Sequence, residues 1–233
     1  MIFQMKTTGV LGGFTALAFA SSALAAVDTT DPFVGTNVTY SDVIEQTADP
    51  IDDPLPLYGP PVLLSGDLLD FDPVAFPFAS SSPPADTTDG ALSFTVTSND
   101  ASSIPVLIIS EGGDYSFLGL AADAAAVSAG LFVQILDTAT QAVIVSGSDV
   151  FSDTNSNTPT DGGFWSNEVV IDLSPYELTE FDVLINNTLQ AAGPADTSAS
   201  IRKKNFQVDV PEPGTVALLA GGLALMTLRR KTA

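Results

Sequence analysis

Leu92, Phe94 and Val96 alternate with Ser93, Thr95 and Thr97, the two-residue period of a strand with one buried face. The same alternation predicts strands over Thr36 to Glu45, Leu131 to Leu136, Ala142 to Val145, Glu168 to Leu173, Phe181 to Ile185 and Ile201 to Val208. Ile104 to Ile109 is apolar on both faces and is expected at the centre of the sandwich. Turn chemistry separates these runs at Asn99-Asp100, Glu111 to Asp114, Gly162-Gly163 and Ala192 to Pro194. Short strands with Gly, Pro and Asx turns, and little helical periodicity, predict an all-β, antiparallel sandwich over residues 26–210. Residues 27–79 are too Pro-rich to fold alone and are expected as leading strands and long loops of the same domain. Ser80 to Thr88 is expected as a surface loop.

The two ends break this pattern. Residues 1–25 have Lys6, an apolar stretch from Val10 to Ala20 and the small residues Ala23 and Ala25, which predict a secretory signal helix cleaved after Ala25. At the other end, Pro211-Glu212-Pro213-Gly214 leads into an apolar run from Thr215 to Leu228, followed by Arg229, Arg230 and Lys231. The prolines end any preceding strand, and the run is somewhat short for a transmembrane helix across a ~30 Å hydrocarbon core. Basic residues directly after it hold that end in the cytoplasm.

The order Pro211-Glu212-Pro213, short apolar helix, then Arg229 and Arg230 resembles the PEP-CTERM sorting signal of exported proteins in Gram-negative bacteria that also make extracellular polysaccharide. The resemblance covers residues 211–233, about a tenth of the chain. It implies Sec-dependent export, a transient inner-membrane intermediate, and recognition by an exosortase that cuts near the motif and passes the protein to the cell surface or matrix. A second resemblance lies in Glu168 to Tyr176, with the strands at Phe181 to Ile185 and Ile201 to Val208. These are similar to the last strands of jelly-roll domains of the carbohydrate-binding, galactose-binding-like type.

Composition narrows the chemistry. The chain has no His and no Cys, which excludes His general bases, Ser-His-Asp and Cys-His nucleophiles, His or thiolate metal sites and disulfides. It carries 28 acids against 7 bases, a net charge of −21 over 233 residues. If both ends are removed, only Arg202, Lys203 and Lys204 oppose the acids. Such a surface repels nucleic acid and attracts divalent cations.

Calcium suits a chain rich in hard oxygen donors, and no other cofactor is indicated. Asp149, Asp153, Asn155, Asn157 and Asp161 form one oxygen-rich stretch, in which Asp153, Asn155 and Asn157 match the first three ligand positions of an EF-hand loop. Thr158 and Phe164 stand where that motif requires Gly and Glu, so a solvated acidic loop is the competing reading. Asp67, Asp70 and Asp72 form a second cluster. Two carboxyl groups flanking a sugar bond are all that glycoside hydrolysis requires, and Glu111 with Asp114 is the first pair to consider; a turn with Asp at a backbone-capping position is the favoured reading of them. Phe164 and Trp165 could offer an aromatic platform, against core packing of the single Trp. Arg202, Lys203 and Lys204 alternate between strand faces and are expected to pair with carboxylates. A Ser200–Lys203 dyad is formally available.

These features together predict a non-enzymatic exported protein with a structural or adhesive role in exopolysaccharide or biofilm. A carboxylate-dependent glycan hydrolase or lyase is the alternative.

Overall fold

The computed structural model describes residues 28–29, 31–47, 57–64, 66–71, 78–80, 85–119, 125–155, 160–194 and 197–212. The expected signal helix and C-terminal apolar helix lie outside them. In chain order the strands are β1 (Asp28–Thr29), β2 (Phe33–Val34), β3 (Val38–Thr47), β4 (Pro61–Leu63), β5 (Leu68–Phe71), β6 (Phe78–Ser80) and β7 (Ala85–Ser98). They continue as β8 (Val106–Gly119), β9 (Ala126–Leu136), β10 (Val143–Thr154), β11 (Thr160–Asp172), β12 (Glu180–Ala192) and β13 (Thr197–Asp209). A single 3-10 turn, Ser174–Tyr176, is the one helical element among the described residues, and no helix there is long and apolar enough to cross a membrane.

All pairings are antiparallel and form two sheets. One runs β1-β3-β7-β12-β9-β10, with β2 also on β3; the other runs β11-β8-β13-β5-β4, with β6 also on β13. From β7 onward the chain changes sheet at every connection except the β9–β10 hairpin. Strand β13 is therefore central, paired with β8 along one side and with β5 and β6 in succession along the other.

Strict alternation places one apolar row of each long strand between the sheets. Leu92, Phe94 and Val96 of β7 face Leu107 and Ile109 of β8 and Phe206 and Val208 of β13 in one large cluster. Each such side chain contributes about 1.5–3 kcal/mol by leaving water. Edge-on contacts among Tyr58, Phe71 and Phe206, with centroids 4.9 to 6.2 Å apart, fix its lower corner. A second, smaller cluster gathers Phe117, Val127, Trp165, Leu189 and Ile201.

Three local expectations are corrected. Glu111 to Asp114 and Gly162-Gly163 are not turns: they lie inside β8 and β11. The glycines serve close strand approach instead. A Cβ on Gly113 would collide with the carbonyl of Arg202, and one on Gly162 would stand 2.5 Å from the carbonyl of Tyr115. Ala85 to Thr88 does not belong to a loop but opens β7. Asp149, Asp153 and Asp161 do not share one loop either, because the first two ride on β10 and the third on β11.

Candidate functional site

The inward rows of four strands share one irregularity. On β8 the row reads Leu107, Ile109, Glu111; on β11, Trp165, Asn167, Val169; on β12, Ile185, Asn187, Leu189; on β13, Ile201, Lys203, Phe206. Register sets Asn167 opposite Glu111, Lys203 reaches Glu111 from its place opposite Gly113, and Asn187 of the other sheet borders the same small cavity as Lys203, so these polar residues form a buried layer. The irregularity of β13 is needed for this: its pairing with β8 shifts between Lys203 and Asn205, so that both Lys203 and Phe206 point inward.

Lys203 Nζ stands 2.8 Å from Glu111 Oε2, an ion pair buried in the core. The ammonium also lies 4.8 Å from the Tyr58 ring centroid and 5.3 Å from that of Phe206. Glu111 Oε1 accepts from Asn167 Nδ2 at 3.0 Å, and the same amide donates to the Ala129 carbonyl in the opposite sheet at 3.0 Å. Glu45 of β3 enters from the side, its Oε1 accepting from the backbone N–H of Leu57 and, at 2.7 Å, of Tyr58. Burial pushes the Glu45 carboxyl up, against the pull of those two donors and of Lys203. Burial also pulls Lys203 down, opposed by Glu111 and Glu45.

A cavity of about 20 Å³ lies beside Lys203, lined also by Tyr58, Thr88, Gly90, Asn187 and Leu189. It has room for one water, not for a sugar. The sequence signal for this layer is a single polar residue interrupting an inward apolar row on each strand.

The other predicted residues are distributed as follows. Glu111 and Asp114 occupy opposite faces of β8: the first is buried against Lys203, and the second pairs outward with Lys204 at 2.7 Å. They do not flank a common site. Ser200 shares its hydroxyl with Ser116 at 2.8 Å, whereas Lys203 points into the core, so these two do not form a dyad. Trp165 is core, 4% exposed, with Nε1 donating to the Arg202 carbonyl at 2.9 Å, while Phe164 is 87% exposed on the outer face of β11. No aromatic pair forms a platform there.

Asp67 is fully engaged, accepting from Asn37 N and Nδ2 at 2.8 and 2.6 Å and from Val38 N at 3.2 Å. Asp70 accepts from Gln207 at 2.9 Å, and Asp72 lies outside the described residues. Of the proposed calcium set, Asp149 accepts from Val150 and Glu168 N–H groups, Asp153 from Thr154, and Asp161 from Gly162. The Asp153 carboxylate, through its hydrogen bond, and then burial hold the Tyr115 hydroxyl up at about 12. Asn155 is buried with Oδ1 unpartnered, and Asn157 lies outside the described residues. Among the described residues no three acidic groups converge as metal ligands.

Among the described residues the last core contact is Val210, 3% exposed, one residue beyond β13; Pro211 is half-buried and Glu212 exposed. Residues 209–231 match the PEP-CTERM protein-sorting motif. The chain carries a PEP-CTERM sorting signal. That signal marks it as an exosortase substrate exported toward the cell surface, and it contains the predicted Pro211, Glu212, Pro213, Arg229 and Arg230. Pro213, Arg229 and Arg230, like Ala23 and Ala25 of the predicted signal peptide, lie outside the described residues.

No curated protein matches the chain. Among solved structures, it is similar to a chain of the infectious bursal disease virus Gt strain, 13% identical, over 73% of this chain and 42% of that one, at a TM-score of 0.36. A chain of the Gx strain of the same virus is 13% identical over 77% of this chain and 51% of that one, at a TM-score of 0.21. The PEP-CTERM chain thus spans about half the length of the viral chains or less, and likeness at this level assigns neither fold nor function.

Proposed function

We propose that the body of this PEP-CTERM protein is a non-catalytic jelly-roll module that serves a structural or adhesive role at the cell surface or in the surrounding polysaccharide matrix. The observation that carries the reading is the junction at Val210: the sorting signal starts where the central strand β13 ends, so the entire sandwich is its cargo. The strand order supports the jelly-roll reading, with β5-β13-β8-β11 facing β7-β12-β9-β10 and the chain crossing between them as in two interlocked Greek keys. The buried polar layer supports a passive role, since its amine and carboxylates are committed to one another inside the core. Surface carboxylates would keep the module soluble and bridge through calcium to anionic polymer.

The test is fractionation of cells making the wild-type chain or a Pro211→Ala, Glu212→Ala, Pro213→Ala variant, with mass spectrometry of the product. The wild type is expected at the surface without residues 215–233, and the variant in the membrane with its C-terminus intact. Equal release of both would sink the sorting role. Loss of the wild-type body from the matrix fraction on chelation, with recovery on calcium, is expected of the adhesive role; indifference to both would remove it.

A further inference from the structure

The two sides of the sandwich end differently. On one side the sheets finish in very short strands, β1 and β2 of 2 residues each and β4 of 3. On the other side β10 and β11, of 12 and 13 residues, each have a strand neighbour on one side only among the described residues. A long open edge is a template for another strand, and proteins blunt such edges with Pro, Lys, bulges or inward-pointing charge. Neither β10 nor β11 contains Pro, Lys or Arg.

What they do contain is aspartate beside backbone donors. Val150 N–H donates to Asp149 Oδ1 at 2.9 Å and Thr154 N–H to Asp153 Oδ1 at 2.8 Å. Gly162 N–H donates to Asp161 Oδ1 at 2.8 Å, and Glu168 N–H donates to Asp149 Oδ2 at 3.0 Å, across the gap between the two sheets. Gly162 and Glu168 are an even number of residues apart, so their N–H groups leave β11 on one side, the side away from β8. Val150 and Thr154 likewise share one side of β10.

We propose that Asp149, Asp153 and Asp161 cap the open edges of β10 and β11 against strand addition by a second copy of this chain. A carboxylate that accepts a strand N–H removes the donor an incoming strand would need, and places a negative charge where its carbonyl would arrive. The partner excluded is another copy, because β10 and β11 themselves supply the extended segment of matching length, with its own open edge, wherever the protein is concentrated. Asp149 caps both edges at once, one oxygen for each, so the two sheets are closed by the same side chain. This explains without a metal why three aspartates sit at these positions, and it holds whether or not the body is adhesive.

The experiment uses the chain as recovered after export, in ~1 M salt, where the screening length is about 3 Å and the overall negative charge no longer keeps molecules apart. Light scattering is compared for the wild type, Asp149→Ala with Asp153→Ala and Asp161→Ala, and the same three positions changed to Asn. The Asn variant loses the same charge but keeps a carbonyl oxygen at each position. The wild type and the Asn variant are expected to stay monomeric, and the Ala variant to at least double its mass. A monomeric Ala variant, an Asn variant that assembles as readily, or an assembling wild type would each overturn the proposal. Should the Ala variant lose its β-sheet circular dichroism, amide exchange in the wild type decides. The N–H groups of Val150, Thr154, Gly162 and Glu168 are expected to exchange at least about tenfold more slowly than in unstructured chain, and exchange at the unstructured rate overturns the capping.

Discussion

Lys203 is a cation held away from water, and its environment shows how that is tolerated. Removing an ammonium and a carboxylate from water costs several kcal/mol each, and the low dielectric returns this only if both ends are well placed. Glu111 meets Lys203 on one oxygen and Asn167 on the other, while two aromatic faces cover the ammonium. The asymmetry of buried pairs sets the prediction. Lys203→Met takes the cation away from the buried Glu111 carboxylate and is expected to cost about 3–5 kcal/mol in urea unfolding. Adding Glu111→Leu joins the two apolar clusters through the gap and is expected to recover most of that loss, although Asn167 then keeps only its bond to Ala129. A double variant as unstable as Lys203→Met would show that the layer is held by more than this pair.

At the scale of elements, strands form where the alternation is cleanest, and positive φ falls at their irregularities and in the turns between them. Among the described residues four other than glycine have positive φ: Asp42, at the register shift within β3, and Ala101, Gln141 and Glu177 between strands. Glu177, at φ 51° and ψ 38°, ends the 3-10 turn in the left-handed conformation that glycine adopts without penalty. In thermal unfolding Glu177→Gly is expected to raise stability by about 0.5–1 kcal/mol, the left-handed penalty of about 1–2 kcal/mol relieved less the chain entropy that glycine adds to the unfolded state. Gln141, at φ 58°, is the contrast, because its amide donates to Asp182 Oδ2 at 2.6 Å and to the Thr138 carbonyl at 3.2 Å. Gln141→Gly forfeits both bonds and is expected to gain nothing in the same thermal unfolding series. The same contrast explains what the sequence makes legible. Period-two runs such as Leu92 to Val96 and Phe181 to Ile185 identify strands, because alternation is a local property. Glu111-Gly-Gly-Asp114 and Gly162-Gly163 read as turns because glycine beside aspartate is usual turn chemistry. Their strand conformation depends on neighbours far along the chain, Arg202 over Gly113 and Tyr115 over Gly162, which no local window contains. Lys203 is half legible: alternation sends it inward, but only the pairing of β13 with β8 supplies Glu111 as its partner.

The whole molecule is a strongly anionic shell around a neutralised centre. Lys203 pairs with Glu111 in the core and Lys204 with Asp114 on the surface. The chain carries a net charge of −21, and the self-repulsion of its acids disfavours the folded state, which added salt relieves. Salt also weakens attractive pairs, and the balance depends on which term is larger. The exposed Lys204–Asp114 pair is worth at most about 1 kcal/mol and the buried pair is shielded from ions, and with 7 bases against 28 acids the repulsion relieved exceeds the attraction lost. Stability is therefore expected to rise as ionic strength increases from ~0.01 to ~0.15 M, over which the screening length falls from about 30 to about 8 Å. In urea titrations this is a higher midpoint with an unchanged slope, since charge screening alters the free energy and not the surface exposed on unfolding. A midpoint that stays level or falls would mean that the acids are already neutralised in pairs, by bound cations or by one another's protons, and that the shell is not the bare anionic surface its sequence describes.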